Sequence, residues 1–362
     1  MKRILIDAHE DIAYAALTFS RDYTKSAATI RQTEQFTEIP DWNGQAMLGV
    51  PEWQKANVGI IFSTLFVMPK KYQSGNWERV GYKNFDEAKI LTQQQIDFYQ
   101  RLEDHHPDKF NIIRNQAQFS THWENLQNPA NKTNPIGLIF LMEGTEGLKH
   151  PKEIEEWYYK GVKIVGLAWS GGKYCGGMYE PGGLSHDGKL LLDIMLDLGM
   201  GLDLAHMSEQ SAFEALDHFD GQVICSHANS KSLLNGYGGD RHLSDHLISR
   251  IAERGGVMGV MPYNKFLIPD WSKSSPRNKV TLEHYANHID HICQITGNVE
   301  HAAIGTDFDG GFGFPAVPDE LNTIADLPLL SNVLAARGYN EDEINSIFAL
   351  NWKRVLDRIF SN

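Results

Sequence analysis

Imidazole and carboxylate side chains recur in this chain at one kind of place, directly after a short apolar run. Asp7-Ala8-His9-Glu10-Asp11 follows the first run and Met142-Glu143-Gly144 closes the third. Leu204-Ala205-His206, Cys225-Ser226-His227 and Gly305-Thr306-Asp307-Phe308-Asp309 close the fifth, sixth and eighth. Nitrogen and oxygen donors collected around one point are what a divalent metal requires. Spacing adds detail in His9-Glu10-Asp11, because residues i and i+2 of an extended chain project to the same side, where both can ligate one ion. Glu10 is then expected to face away. A lone histidine at a strand end is more often a hydrogen-bonded structural residue, but five donor-bearing ends in one chain call for a shared explanation.

The runs that carry these residues are β-branched and do not alternate cleanly with polar residues, the pattern of buried parallel strands. They predict strands over Ile4–Ile6, Val58–Val67, Ile136–Met142, Val162–Ala168, Gly201–Leu204, Gln222–Cys225, Gly256–Val260 and Ala302–Ile304. Helical patterning falls between most of them, over Ile90–Leu102, Gly188–Leu198, Ser208–Phe219, Asp245–Arg254, Thr281–Thr296 and Glu341–Ile359. Strand and helix alternating about eight times predict a (β/α)8 barrel of the TIM type, an α/β fold, with long loops at Ser20–Gln54 and Tyr263–Val280. In such a barrel the chemistry gathers at the C-terminal ends of the strands, where these donors stand. A doubly wound sheet fits less well, because no strand is followed by Gly-x-Gly-x-x-Gly or a phosphate-binding loop.

A length of 362 residues admits two or three domains or one large barrel, and the lack of a convincing linker favours a single domain over residues 1–362. Lys and Arg total 33 against 46 Asp and Glu, a net charge of -13, so nucleic acid and anionic membrane surfaces are not expected partners. The longest mainly apolar stretch, Val58–Met68, is too short to span a bilayer. Met1-Lys2-Arg3-Ile4-Leu5-Ile6-Asp7 lacks the apolar core of a signal peptide, so the chain is expected to be cytoplasmic. Cys175, Cys225 and Cys293 are far apart and odd in number, which fits reduced thiols.

The order and register of these motifs resemble the renal (membrane) dipeptidase family of the amidohydrolase superfamily. His-x-Asp follows the first strand and Glu-Gly the third. Asp203–Ser208 reads Asp-Leu-x-His-Met-Ser, Ser226-His227 follows the sixth strand, and Gly305–Gly310 reads Gly-x-Asp-Phe-Asp-Gly. The likeness runs from Asp7 to about Val355 and includes Asn351. It implies a distorted barrel holding two divalent ions, zinc by family habit: His9 and Asp11 on one, His206 and His227 on the other, Glu143 bridging. It also implies Asp307 as the proton carrier, Arg241 as the partner of the substrate's terminal carboxylate, and Tyr263 as a substrate contact. The expected activity is hydrolysis of a dipeptide, or a related amide with a free carboxylate. The expected partner is therefore a small-molecule substrate, and a homodimer is known in the family. One position departs from the pattern: Trp169 in Ala168-Trp169-Ser170 stands where the dipeptidases carry a histidine that helps hold the tetrahedral intermediate. That substitution keeps two alternatives open, another amidohydrolase reaction (deacylation of an N-acyl amino acid, or opening of a lactam or lactone) and a relative that binds without turnover.

Other constellations carry less. Ala168-Trp169-Ser170-Gly171-Gly172 lacks the first glycine of a nucleophile elbow. His284, His288 and His291 lie along one predicted helix and read as a solvated or interface face. Glu153–Glu156 reads as a helix start, where negative charge suits the helix dipole.

Overall fold

Eight of the apolar runs form parallel strands in chain order: β1 (Leu5–Glu10), β2 (Val58–Phe66), β3 (Ile136–Glu143), β4 (Val162–Gly166), β5 (Gly201–Asp203), β6 (Val223–Cys225), β7 (Val257–Val260) and β8 (Ala302–Ile304). The computed structural model describes residues 3–131 and 133–361. Each strand pairs in parallel with the next, from β1 through β8. The seam between β8 and β1 is narrow. A bridge joins Glu10 to Phe308, and the Asp307 N–H donates to the His9 carbonyl at 3.0 Å, which brings the sheet to a nearly closed barrel. A short strand, Phe110–Ile112, adds to the outside of β3.

Alternation along these strands separates two packing surfaces. Ile6, Ala8, Ile60, Phe62, Ile139, Leu141, Ile164, Ile224, Val257 and Ala303 cluster with Trp352, Val355, Leu356 and Ile359 of the C-terminal helix Asn351–Phe360. Trp352 stacks edge-on against Phe62, with centroids 5.3 Å apart, and its Nε1–H donates to the Ile304 carbonyl at 2.9 Å. Asn351 donates to the Val299 and Ala302 carbonyls. The opposite residues, among them Ile61, Leu138, Phe140, Val165, Leu202 and Met258, pack against the surrounding helices. Those helices start where side chains can cap them: Ser208 accepts the Ser211 N–H, Ser185 the Gly188 N–H and Ser244 the Leu247 N–H.

All six predicted helices are present, the last broken by a π-helical turn over Ser346–Leu350. Two expectations need correcting. β1 continues four residues beyond Ile6: after an irregularity between Asp7 and Glu10, Glu10 pairs again with Ser63 of β2 although it is polar. Ser20–Gln54 is no open loop but holds the helices Ala27–Glu34 and Ile39–Asn43 and the start of Val50–Ala56. Asp309 pins that excursion, accepting from Tyr23 Oη at 2.9 Å and the Met47 N–H at 2.8 Å and pairing with Arg21 at 3.2 Å. Cys175, Cys225 and Cys293 are buried free thiols. Among the described residues no helix is long and apolar enough to cross a membrane.

Candidate metal centre

Glu143, the last residue of β3, stands between three imidazoles with its two oxygens divided. Oε2 faces His9 Nε2 at 3.5 Å, while Oε1 faces His206 Nε2 at 2.9 Å and His227 Nε2 at 3.5 Å. On the His9 side, Asp11 and Asp307 come within 4.0 and 3.8 Å of the same Nε2. All these side chains are buried. Among the described residues His9 Nε2 has no hydrogen-bond partner, and the Nε2 atoms of His206 and His227 lie 2.8 Å apart. Ring nitrogens packed this closely among carboxylates fit a positive charge held between them.

The electrostatics agree. Burial works against a charged His9, yet the Glu143, Asp11 and Asp307 carboxylates raise it to about 10. Burial, with Arg241 nearby, lowers His206 to about 4, so that ring is a neutral donor at pH 7. Burial and then the Glu143 charge push Asp11 up to about 6. Against the burial penalty, His9 and His206 hold Glu143 below the usual carboxylate range. Left to itself, the cluster holds a proton on His9 and leaves His206 and His227, both lowered by burial, as neutral rings facing Glu143.

A second layer aims these groups, and it repeats one device. Asp203 on β5 reaches across to β6, its Oδ1 accepting the Ser226 N–H at 2.8 Å and its Oδ2 the Ser226 hydroxyl at 2.5 Å. Ser226 Oγ then lies 2.8 Å from His227 Nδ1 and accepts from it, which leaves Nε2 bare and facing Glu143. Asp7 on β1 does the same across the seam, accepting from the Thr306 N–H at 2.7 Å and the Thr306 hydroxyl at 2.6 Å. Thr306 precedes Asp307 as Ser226 precedes His227. Thr64 of β2 donates to Asp11, and Glu10 points away to Trp53 Nε1 at 3.0 Å. His206 and Asp307 adopt left-handed backbone, φ 65° and 56°, which costs energy in a non-glycine residue and turns their side chains toward the barrel mouth. Gly310 must lack a Cβ, which would fall 2.2 Å from Asp307 Oδ1 and 2.6 Å from Asp11 Oδ2.

These groups open into a cavity of about 280 Å³. Arg241 lines it, its guanidinium buried and donating to the His227 carbonyl at 2.8 Å, with no carboxylate paired to it among the described residues. Trp169 forms one wall with Phe66, Tyr72 and Tyr179, at ring separations of 5.4, 6.0 and 5.4 Å, and its ring centroid is 6.0 Å from that of His206. Tyr263 lies in another wall, stacked on Phe312 at 4.3 Å. Of the residues singled out for this site from the sequence, Asp11, Glu143, Trp169, His206, His227, Arg241, Tyr263 and Asp307 line this space, while His9 is fully buried behind Glu143. A larger cavity of about 580 Å³ opens beside Arg3, Trp123 and Asn345 and contains none of them.

Sequence reasoning missed Thr64, Phe66, Tyr72, Tyr179 and the orienting roles of Asp7, Asp203 and Ser226. An acid inside an otherwise apolar strand was the available signal for Asp7 and Asp203. The reading of His284, His288 and His291 as a solvated or interface face is corrected at His288, which is buried. His288 is fully enclosed, accepting the Ser230 N–H at 3.1 Å and facing the Leu267 carbonyl at 3.2 Å. His284 caps its own helix, and His291 pairs with Asp245 at 2.7 Å.

A parallel barrel with histidines and carboxylates converging on one buried point at its C-terminal mouth fits a metal-dependent enzyme. The family model for membrane dipeptidases (peptidase family M19) matches residues 1–361, and the chain belongs to that family. It is an enzyme, a hydrolase of the dipeptidase type. An uncharacterised dipeptidase of Schizosaccharomyces pombe is 29% identical over 318 residues, covering 83% of this chain and 70% of that protein. A dipeptidase of Clonostachys rogersoniana is 28% identical over 283 residues, 75% of this chain and 66% of its own length. The fold matches a metallopeptidase of Rhodobacter sphaeroides, solved with a phosphinate mimic of L-Ala-D-Ala, with a TM-score of 0.79 at 20% identity over 99% of this chain and 100% of that one.

Proposed function

We propose that the chain, acting as one domain, hydrolyses dipeptides with a free C-terminal carboxylate and uses two divalent cations, zinc by preference, to do so. The observation that carries the reading is the division of Glu143 between His9 on one side and His206 with His227 on the other. His9 and Asp11 would hold one ion, His206 and His227 the second, and Glu143 both. Bound there, such ions polarise a carbonyl and lower the pKa of water toward neutrality.

The remaining work falls to the protein's own side chains. Asp307, buried within 3.8 Å of His9 Nε2, is pushed well above the usual carboxylate range by burial, which suits a group that takes a proton from water and delivers it to the leaving amine. Arg241 offers a desolvated guanidinium with no carboxylate paired to it among the described residues, and a substrate carboxylate would supply that partner in two-pronged geometry. The wall of Trp169, Phe66, Tyr72 and Tyr179 favours an apolar or flat group beside the scissile amide. Retention of Asp307 weighs against a relative that only binds.

The test is zinc-loaded enzyme assayed on dipeptides, on their C-terminal amides and on N-acyl amino acids. Free dipeptides should be cleaved, and Arg241→Met should raise KM for them while leaving the amides little changed. Equal effects on acids and amides would remove Arg241 from substrate recognition, and turnover of N-acyl amino acids alone would replace the dipeptidase reading.

A further inference from the structure

A second charged group of the cavity has no role in this scheme. Glu78 lines the same space as Glu143, Asp307 and Arg241, yet its side chain is 5% exposed. Its carboxylate accepts the Tyr14 hydroxyl at 3.1 Å on Oε1 and the Ser74 N–H at 2.8 Å on Oε2. Among the described residues no Lys, Arg or His pairs with it. A carboxylate offers about four lone-pair sites, so two bonds leave this cavity-lining residue with acceptor capacity to spare. Burying an anion without a cation is costly, and a cation that arrives with the ligand would offset that cost.

The setting is built. Glu78 belongs to the excursion after β2, closed by a ladder between Met68–Pro69 and Gly81–Tyr82. Its neighbour Trp77 stacks flat on Trp42 at 4.8 Å and lies against Phe19 at 5.5 Å. Tyr14 stands one turn beyond Asp11 on the helix Ile12–Phe19, wedged edge-on between Phe66 and Phe19. Glu78 is thus tied through one phenol to the helix that starts at Asp11.

Topology sets the polarity. In an eight-stranded barrel closed in chain order, β2 and β6 lie opposite one another. Glu78 follows β2, Arg241 follows β6, and the Glu143 cluster lies at the mouth between them. We infer that Glu78 receives the α-ammonium of the substrate, so that an unblocked dipeptide is read at both ends, carboxylate at Arg241 and ammonium at Glu78, with its amide across the Glu143 cluster. This rests on the dipeptidase reading and names the substrate class more narrowly: a zwitterion, not an N-acylated amino acid.

The experiment compares an apolar dipeptide, whose only ammonium is the α-amino group, with its N-acetyl derivative. In zinc-loaded Glu78→Gln, kcat/KM for the free dipeptide should fall about 10- to 100-fold, the range for a hydrogen bond to a charged group, while the N-acetyl compound is unchanged. Glu78→Asp, which keeps the charge but withdraws it by one methylene, should fall between. Calorimetric titration of both ligands into zinc-loaded Asp307→Asn, with and without Glu78→Gln, reads the same preference as a Kd independently of turnover. Equal losses for the two ligands, or no loss for the free dipeptide, would overturn the inference. Dependence on Glu78 of an N-acetyl dipeptide with an N-terminal lysine would overturn the α-ammonium assignment in favour of a side-chain ammonium. If wild type cleaves neither ligand but the calorimetric preference holds and vanishes in Glu78→Gln, the dipeptidase reading fails while the Glu78 subsite stands. Absence of any such preference in binding overturns the subsite.

Discussion

Replacing Ser226 by alanine removes one oxygen that three groups share. Ser226 has a single hydroxyl proton, and its Oγ lies 2.5 Å from Asp203 Oδ2 and 2.8 Å from His227 Nδ1. An ionised carboxylate only accepts, so the proton goes to Asp203 and the oxygen accepts from His227 Nδ1–H. That assignment leaves Nε2 free toward Glu143 Oε1, 3.5 Å away. His9 Nδ1 rests 3.5 Å from the same oxygen, a longer contact with less to lose. In Ser226→Ala, His227 loses the partner that fixes its tautomer, and loss of such a support typically costs about 10- to 100-fold in metal affinity, or about 1.4 to 2.7 kcal/mol. Asp203 keeps the Ser226 and Ala205 N–H donors but loses its third, at a cost of about 1–3 kcal/mol in stability of the metal-free protein. Chelator competition on folded protein measures the first effect and urea unfolding of the metal-free protein the second. Metal affinity within twofold of wild type, with stability reduced, would show that Ser226 braces the barrel without aiming His227.

Three further outcomes follow from the same geometry. Asp307→Asn should keep metal and substrate binding but lose turnover by roughly 10² or more, read by metal content, calorimetry and kcat; retained turnover would move the proton carrier elsewhere. Burial pushes Glu146 up to about 8 from 4.5, and among the described residues its Oε2 has no partner. Between those values the folded chain holds a proton that the unfolded chain releases, so this group lowers stability as pH rises through that window and adds nothing further above it. Glu146→Gln should match wild-type stability near pH 4 and exceed it increasingly toward pH 8.5, and parallel curves would contradict the burial argument. Trp169→His should speed cleavage of plain dipeptides and slow that of substrates with a flat apolar group beside the amide; no change in either would place Trp169 outside the substrate's reach.

The barrel was legible because buried parallel strands are written as apolar runs, and all eight runs became strands. What the runs hid was their functional ends. His9 and Glu10 extend β1, and Glu143 closes β3, but polar residues fall below any hydrophobic threshold although their backbones stay in the strand. The helix Ile12–Phe19 went unread for the opposite reason, being buried on almost every side and so lacking an amphipathic period. The donors at the strand ends stood out by position, whereas Arg241 and Tyr263 were reached through family likeness. Glu78 had no signal at all. A glutamate in Gly75-Asn76-Trp77-Glu78-Arg79 reads as surface, and only the folding of that excursion onto Tyr14 turns it inward.

Anomalous diffraction at the zinc edge, from crystals of zinc-loaded protein, tests the central claim most directly. Two peaks are expected, one between His9 and Asp11 and one between His206 and His227, with a Glu143 oxygen on each. A single peak, or none at this cluster in protein that still cleaves a dipeptide, would contradict the bridging role of Glu143.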